Sequence, residues 1–243
     1  VTSKNKYALI IPSFQNNVGY KLAALHTYLK HKPKNLDVFF IYGGNKNFEI
    51  SNSSTNNGKP YILYKDIYLD VPDRISTVHK KLYKFISKYK NTLKKYEYVI
   101  KIDDDTFINN IDIIDFDKIK GDYIGNKIEI TSDTEDIIRS KLRNLKYYKE
   151  RKKYEGKLPQ FFCSGECVMF SKNAIEIISK YKGSYKNEIF GIEDVFTGGI
   201  LSTENMKIHN NKLIMYEHPV KENDFYKLYS SHYEKEEKML EHK

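Results

Sequence analysis

The chain opens on a short apolar run, Tyr7-Ala8-Leu9-Ile10-Ile11-Pro12, which predicts a strand. Polar residues follow, and then a stretch from Tyr20 to Leu29 with helical spacing of its apolar positions. A second run, Val38-Phe39-Phe40-Ile41-Tyr42, stops at Gly43-Gly44, and the Asn/Ser-rich segment to Gly58 predicts an exposed loop. From Ile75 onward Val78, Leu82, Phe85, Ile86 and Tyr89 recur at helical spacing, with Lys80, Lys81, Lys84 and Lys88 assigned to the opposite, solvent face. The strand-like Tyr98-Val99-Ile100-Lys101-Ile102 then runs straight into three aspartates.

This alternation predicts an α/β protein with a mostly parallel, Rossmann-like central sheet and helices on both faces. In such sheets ligands bind beyond the carboxyl ends of the strands, which is where the aspartates fall. The charged segment from about 131 to 157, with a helix near Ile137 to Tyr148, reads as an insertion or lid. Beyond it, Phe161 to Gly165 turn into a strand at Val168-Met169-Phe170, a helix spans Asn173 to Lys180, and Glu193-Asp194-Val195 opens another. A charged helical tail covers about 222–243, and the whole of 1–243 is taken as one domain.

Composition narrows the function. Lys and Arg exceed Asp and Glu by 41 to 32, a net charge of +9. Only Arg74, Arg139, Arg143 and Arg151 are arginines, and that scarcity of guanidinium forks argues against nucleic acid as a partner. No stretch approaches the length of a membrane span, so a soluble and preferentially cytoplasmic domain is expected, although a start at Val1 leaves room for a preceding anchor. Cys163 and Cys167 are too few for a disulfide framework or a four-thiolate zinc site, and read as small buried residues.

Three adjacent carboxylates at the end of an apolar strand repel one another unless a cation offsets them. Asp103 and Asp105 alternate along the chain, so both can converge on one hard divalent ion and leave positions open for diphosphate oxygens. The bland reading is a solvated acidic turn. A phosphatase of the haloacid dehalogenase type also sets two aspartates after a strand, but its Thr or Val should stand where this chain has Phe107.

Three segments in order resemble the β1,3-glycosyltransferase family that includes fringe, the β1,3-galactosyl- and N-acetylglucosaminyltransferases and the mucin core 1 synthase. The strand with Asp103-Asp104-Asp105 is similar to that family's Asp-x-Asp metal motif. Cys163-Ser164-Gly165, followed by Val168, Phe170 and Ser171, is similar to its Cys-x-Gly loop and strand, and Gly191-Ile192-Glu193-Asp194-Val195 to its Glu-Asp-Val motif. A fourth stretch, Asp73 through Lys81 and Leu82, resembles the segment that leads an Asp into a Lys-bearing helix.

The resemblance implies a GT-A fold, a UDP-sugar donor, a glycan acceptor, manganese or another divalent cation, and transfer of a hexose or N-acetylhexosamine with inversion to form a β1,3 linkage. It implies Asp194 as general base; Asp73, Lys81, Asp103, Asp104, Gly165 and Glu193 as donor-site residues; and Asp103, Asp105 and His218 as metal ligands, His218 being chosen over His209. The chain departs from the family in having no tryptophan, and in placing Glu166-Cys167 where small residues usually follow Cys-x-Gly. The alternatives are another GT-A transferase, retaining or glucose-specific, and a non-catalytic carbohydrate- or nucleic-acid-binding domain.

Overall fold

The structure, a computed structural model, describes residues 6–44, 51–53, 64–74, 77–112, 114–144, 158–181, 192–204, 206, 208–211 and 213–231. Its centre is β1 (Tyr7–Pro12), flanked by parallel partners β2 (Leu36–Gly43) and β5 (Tyr98–Ile102). Every residue of β1 is buried, as a strand covered on both faces requires. With β3 (Ser51–Ser53), β4 (Tyr64–Leu69), β7 (Tyr123–Glu129), β8 (Phe161–Ser171) and β9 (Ile208–Asn210), they form an eight-stranded sheet ordered β3-β4-β2-β1-β5-β8-β7-β9. The sheet is parallel from β4 to β5; β3 and β8 run antiparallel to their neighbours.

The period-2 alternation of the strands divides the core into two layers. Tyr7, Leu9 and Ile11 pack beneath α1 (Val18–His26) and α6 (Glu222–Tyr229), joined by Ala23, Ala24, Phe225 and Tyr229. Ala8 and Ile10 face the other way, toward α2 (Val78–Leu93), α4 (Lys172–Lys180) and α5 (Glu193–Thr203), among Leu82, Phe85, Ile175, Ile178 and Leu201. The expected helices on both faces of a mostly parallel sheet are therefore present.

Several sequence expectations are corrected. The loop assigned to the Asn/Ser-rich segment contains β3, while 45–50 and 54–63 lie outside the described residues. Strands β4 and β7 had no clear apolar pattern to announce them, because the adjacent Lys65 and Asp66 interrupt β4 and β7 ends in largely polar residues. The segment Phe161 to Gly165, expected to lead into a strand at Val168, belongs to the same strand, β8. The insertion helix, α3 (Ser132–Asn144), starts earlier than expected, and Ile138 packs with Phe162 and Val195; residues 145–157 lie outside the description, as do 232–243 of the tail. Near the end of the chain, β10 (Tyr216–Glu217) pairs with β6 (Phe107–Ile108) as a separate antiparallel ribbon.

Candidate metal centre and adjoining carboxylates

The site grows out of the end of β5. Val99, Lys101 and Asp103 share one side of the chain by strand alternation, so Lys101, 1% exposed, meets Asp103 on its own strand and α5 across the layer. Its ammonium donates to Asp103 Oδ1 at 2.7 Å, Glu193 Oε2 at 2.8 Å and the Gly165 carbonyl at 2.6 Å. Burial by itself would lower the Lys101 pKa, but the charges of Asp103 and Glu193 outweigh it and hold the ammonium protonated.

The Cys-x-Gly segment is a three-residue bulge. On β7 the pairing passes from Gly125 to Lys127, while on β8 the partners jump from Val168 to Cys163; of the four residues skipped, Cys167 still pairs with Ile102 of β5, and Ser164, Gly165 and Glu166 lie outside both ladders. The bulge is pinned to the aspartate loop, since the Glu166 carbonyl accepts from Asp103 N and Thr106 Oγ1, both at 3.3 Å. At Gly165 a Cβ would sit 3.3 Å from Lys101 Nζ and 3.6 Å from Asp194 Cβ, so glycine lets the bulge close onto both.

His218 reaches the same place from the far end of the chain. The β6–β10 ribbon pairs Glu217 with Phe107, Val220 N donates to the Asp105 carbonyl at 2.9 Å, and the Asn110 side chain brackets Leu213 and Met215. His218 Nε2 thereby lies 3.1 Å from Asp105 Oδ1 and 3.9 Å from Asp103 Oδ2. One ligand atom from each of Asp103, Asp105 and His218 lies within 4.8 Å of the others, a group that could hold a metal ion. Two carboxylate oxygens and an imidazole nitrogen suit a hard or borderline divalent cation. The surroundings suit it too, because Asp103 spends Oδ1 on Lys101 and turns Oδ2 to the group. The hydrogen bond with Asp105 raises the His218 pKa against the effect of burial. His209 lies in β9, close over Gly121, and does not enter the group.

Asp194 opens α5 beside this cluster, where negative charge is favoured by the helix N-terminus. Val195 N donates to its Oδ1 at 2.9 Å. Burial, followed by the neighbouring Glu193 charge, pushes the Asp194 carboxyl up to about 6. Glu193 is fixed by Lys101 and by Thr197 Oγ1 at 3.1 Å. Asp105, Gly165, Asp194 and His218 are thus gathered beyond the carboxyl end of β5, beside the bulge of β8.

The remaining residues singled out in the sequence sit elsewhere. Asp104 points toward the loop after β1, accepting from Ser13 Oγ at 2.7 Å and Asn17 Nδ2 at 3.0 Å, and burial raises its pKa despite these bonds. Lys81 does not lie on the solvent face of α2: its side chain is 0% exposed, donates to the Ser13 carbonyl at 2.7 Å and pairs with Asp73. Asp73 also accepts from Gln15 N at 2.7 Å and Gly43 N at 3.0 Å. Asp73 and Lys81 therefore brace the β1 loop from below, and Asp104 holds it from the side. Cys163 and Cys167 are buried free thiols, and burial pushes each up to about 12.

Lys101 and Glu166 escaped the sequence reading as site residues. A signal existed for Lys101: a lysine inside an apolar strand, two places before the aspartates, must find acidic partners if buried. For Glu166 the signal was its presence in a family position usually small.

The Rossmann-like sheet, with an acidic cluster beyond β5, defines the chain as a glycosyltransferase of GT-A type once it is joined to the sequence comparison. A family model described as Galactosyltransferase matches residues 25–213 of the 243, and the chain belongs to that family. A glycosyltransferase using a sugar donor and an acceptor follows from that membership. His218 lies beyond the matched segment. A comparison with curated proteins returned no match. Among the described residues, no helix is long and apolar enough to cross a membrane.

Proposed function

We propose that this enzyme is a metal-dependent, inverting transferase that moves a hexose or N-acetylhexosamine from a UDP-sugar to a hydroxyl of a glycan acceptor, forming a β1,3 linkage. The observation that carries the reading is the gathering of Asp103, Asp105 and His218 with Asp194 around one buried lysine. Asp103, Asp105 and His218 are the proposed ligands, with Asp105 the foremost. Manganese, when bound there, would supply positive charge for the diphosphate leaving group. Gly165 and Glu193 shape the donor side, while Asp73, Lys81 and Asp104 act on the donor through the loop they brace.

Asp194 is the proposed base. It takes the proton of the acceptor hydroxyl as that oxygen forms its bond to the anomeric carbon, while the bond from that carbon to the diphosphate oxygen breaks on the opposite face. A carboxyl raised to about 6 is still ionised at neutral pH and is a stronger base than an ordinary aspartate. Glu193, held by Lys101 and Thr197, keeps the start of α5 in register with the aspartate loop.

Calorimetry tests the donor and metal assignment together. UDP should bind in the presence of Mn2+, lose affinity with chelator, and bind far more weakly to Asp105→Ala. Mn2+-dependent UDP binding of unchanged strength in that variant would refute the ligand set.

A further inference from the structure

Glu166 has a carboxylate for which the reaction described above has no use. It is the third residue of the β8 bulge, and its backbone carbonyl is tied to Asp103 N and Thr106 Oγ1, the loop that carries the proposed ligands. Its side chain is directed at His218, with Oε1 3.9 Å from Nδ1, while Oε2 is buried with no hydrogen-bond partner among the described residues. The imidazole is therefore flanked on its two nitrogens by different carboxylates: Nε2 faces Asp105 and Asp103, and Nδ1 faces Glu166.

From this arrangement we infer that Glu166 is a positioning residue for the metal site, accepting the Nδ1–H of His218 and so leaving Nε2 with its lone pair toward the ion. The inference rests on the proposed metal site and adds a member to it. A small side-chain rotation closes the 3.9 Å separation to a hydrogen bond of about 2.8 Å. That bond would fix the ring's orientation and tautomer and raise the basicity of the ligating nitrogen, the usual work of a carboxylate behind a metal-bound histidine. Glu166 is not itself placed as a ligand, because it approaches the ring from the side away from Asp103 and Asp105. Leaving Oε2 buried and unbonded costs stability, and a hydrogen bond from the Nδ1–H to the carboxylate would offset part of its desolvation.

Calorimetric titration of the full chain with Mn2+ tests this in a double-mutant cycle. Glu166→Ala should weaken Mn2+ binding about 10- to 100-fold, and Glu166→Gln, which keeps a carbonyl acceptor without the charge, should recover most of it. In a His218→Ala background, Glu166→Ala should cost nothing more. Equal losses in both backgrounds, or a Gln variant as weak as the Ala variant, would make Glu166 a direct ligand or a bare charge and overturn the positioning role. Unchanged affinity in Glu166→Ala would overturn it as well, leaving the metal site standing. Absence of Mn2+ binding by the unaltered chain would instead remove the metal site and this inference with it.

Discussion

Replacing Lys101 with Met gives the sharpest test of how the site is held together. The side chain is 1% exposed, and its ammonium satisfies two carboxylates and a carbonyl at 2.6 to 2.8 Å. At an effective dielectric of about 20, each pair at such a distance carries roughly 6 kcal/mol of Coulomb attraction, much of which offsets the desolvation of the lysine. Met fills the volume but leaves Asp103, Glu193 and the Gly165 carbonyl without their donor. The net loss should be about 3–5 kcal/mol, a fall in Tm of roughly 6–20 °C for a chain of this size. In the variant the influences left on Asp103 all raise its pKa: burial first, then the charges of Glu193 and Asp105. The folded state then binds more protons than the unfolded one above about pH 4, so stability falls as pH rises, and the deficit should be larger at pH 7.5 than at pH 5. Urea denaturation at both values, in chelator, measures this, and a second change, Glu193→Gln, should restore about 1–2 kcal/mol by removing one stranded charge. A loss below about 1 kcal/mol at neutral pH, or no recovery in the double variant, would refute the lysine-centred account.

Asp194→Asn should lower kcat by about two to four orders of magnitude while UDP and Mn2+ still bind, and the acidic limb of the unaltered enzyme's rate profile should have its midpoint near the Asp194 value of about 6. Normal turnover by the Asn variant would move the base elsewhere. Because that folded value stands above 3.8, the ionised carboxylate costs stability once pH exceeds about 4; the Asn variant should therefore be about 1–2 kcal/mol more stable at pH 7, after allowing for water in the cleft. Asp73→Asn should destabilise the chain by about 3–5 kcal/mol, since it leaves the fully buried Lys81 without its anionic partner, and urea midpoints would expose the error if the loss were below about 1 kcal/mol.

Much of the sheet was legible in the sequence because burial on both faces writes itself as continuous apolar runs, and β1, β2 and β5 were found that way. Helix α2 was legible from periodicity, and α5 from the acidic pair suited to a first turn. The aspartates were legible as chemistry, because adjacent carboxylates after an apolar strand need a counter-charge wherever the chain folds. Strands β3 and β4 were not: β3 is a three-residue edge strand, and β4, though paired on both sides, carries Lys65 and Asp66 within its run.

What tertiary structure alone decided was which groups meet. Periodicity assigned Lys81 to solvent, yet Asp73 and the Ser13 carbonyl draw it fully into the interior, because a specific counter-charge can override the preference of a side chain for water. The choice of Asp103 and Asp105 over Asp104 followed from strand alternation and was readable. The arrival of His218 depends on a ribbon joining residues more than a hundred positions apart, and the approach of Glu166 depends on a bulge set by register between β7 and β8. Local sequence sets the face a residue presents; pairing across the sheet sets what that face finds, and the site is made of such pairings.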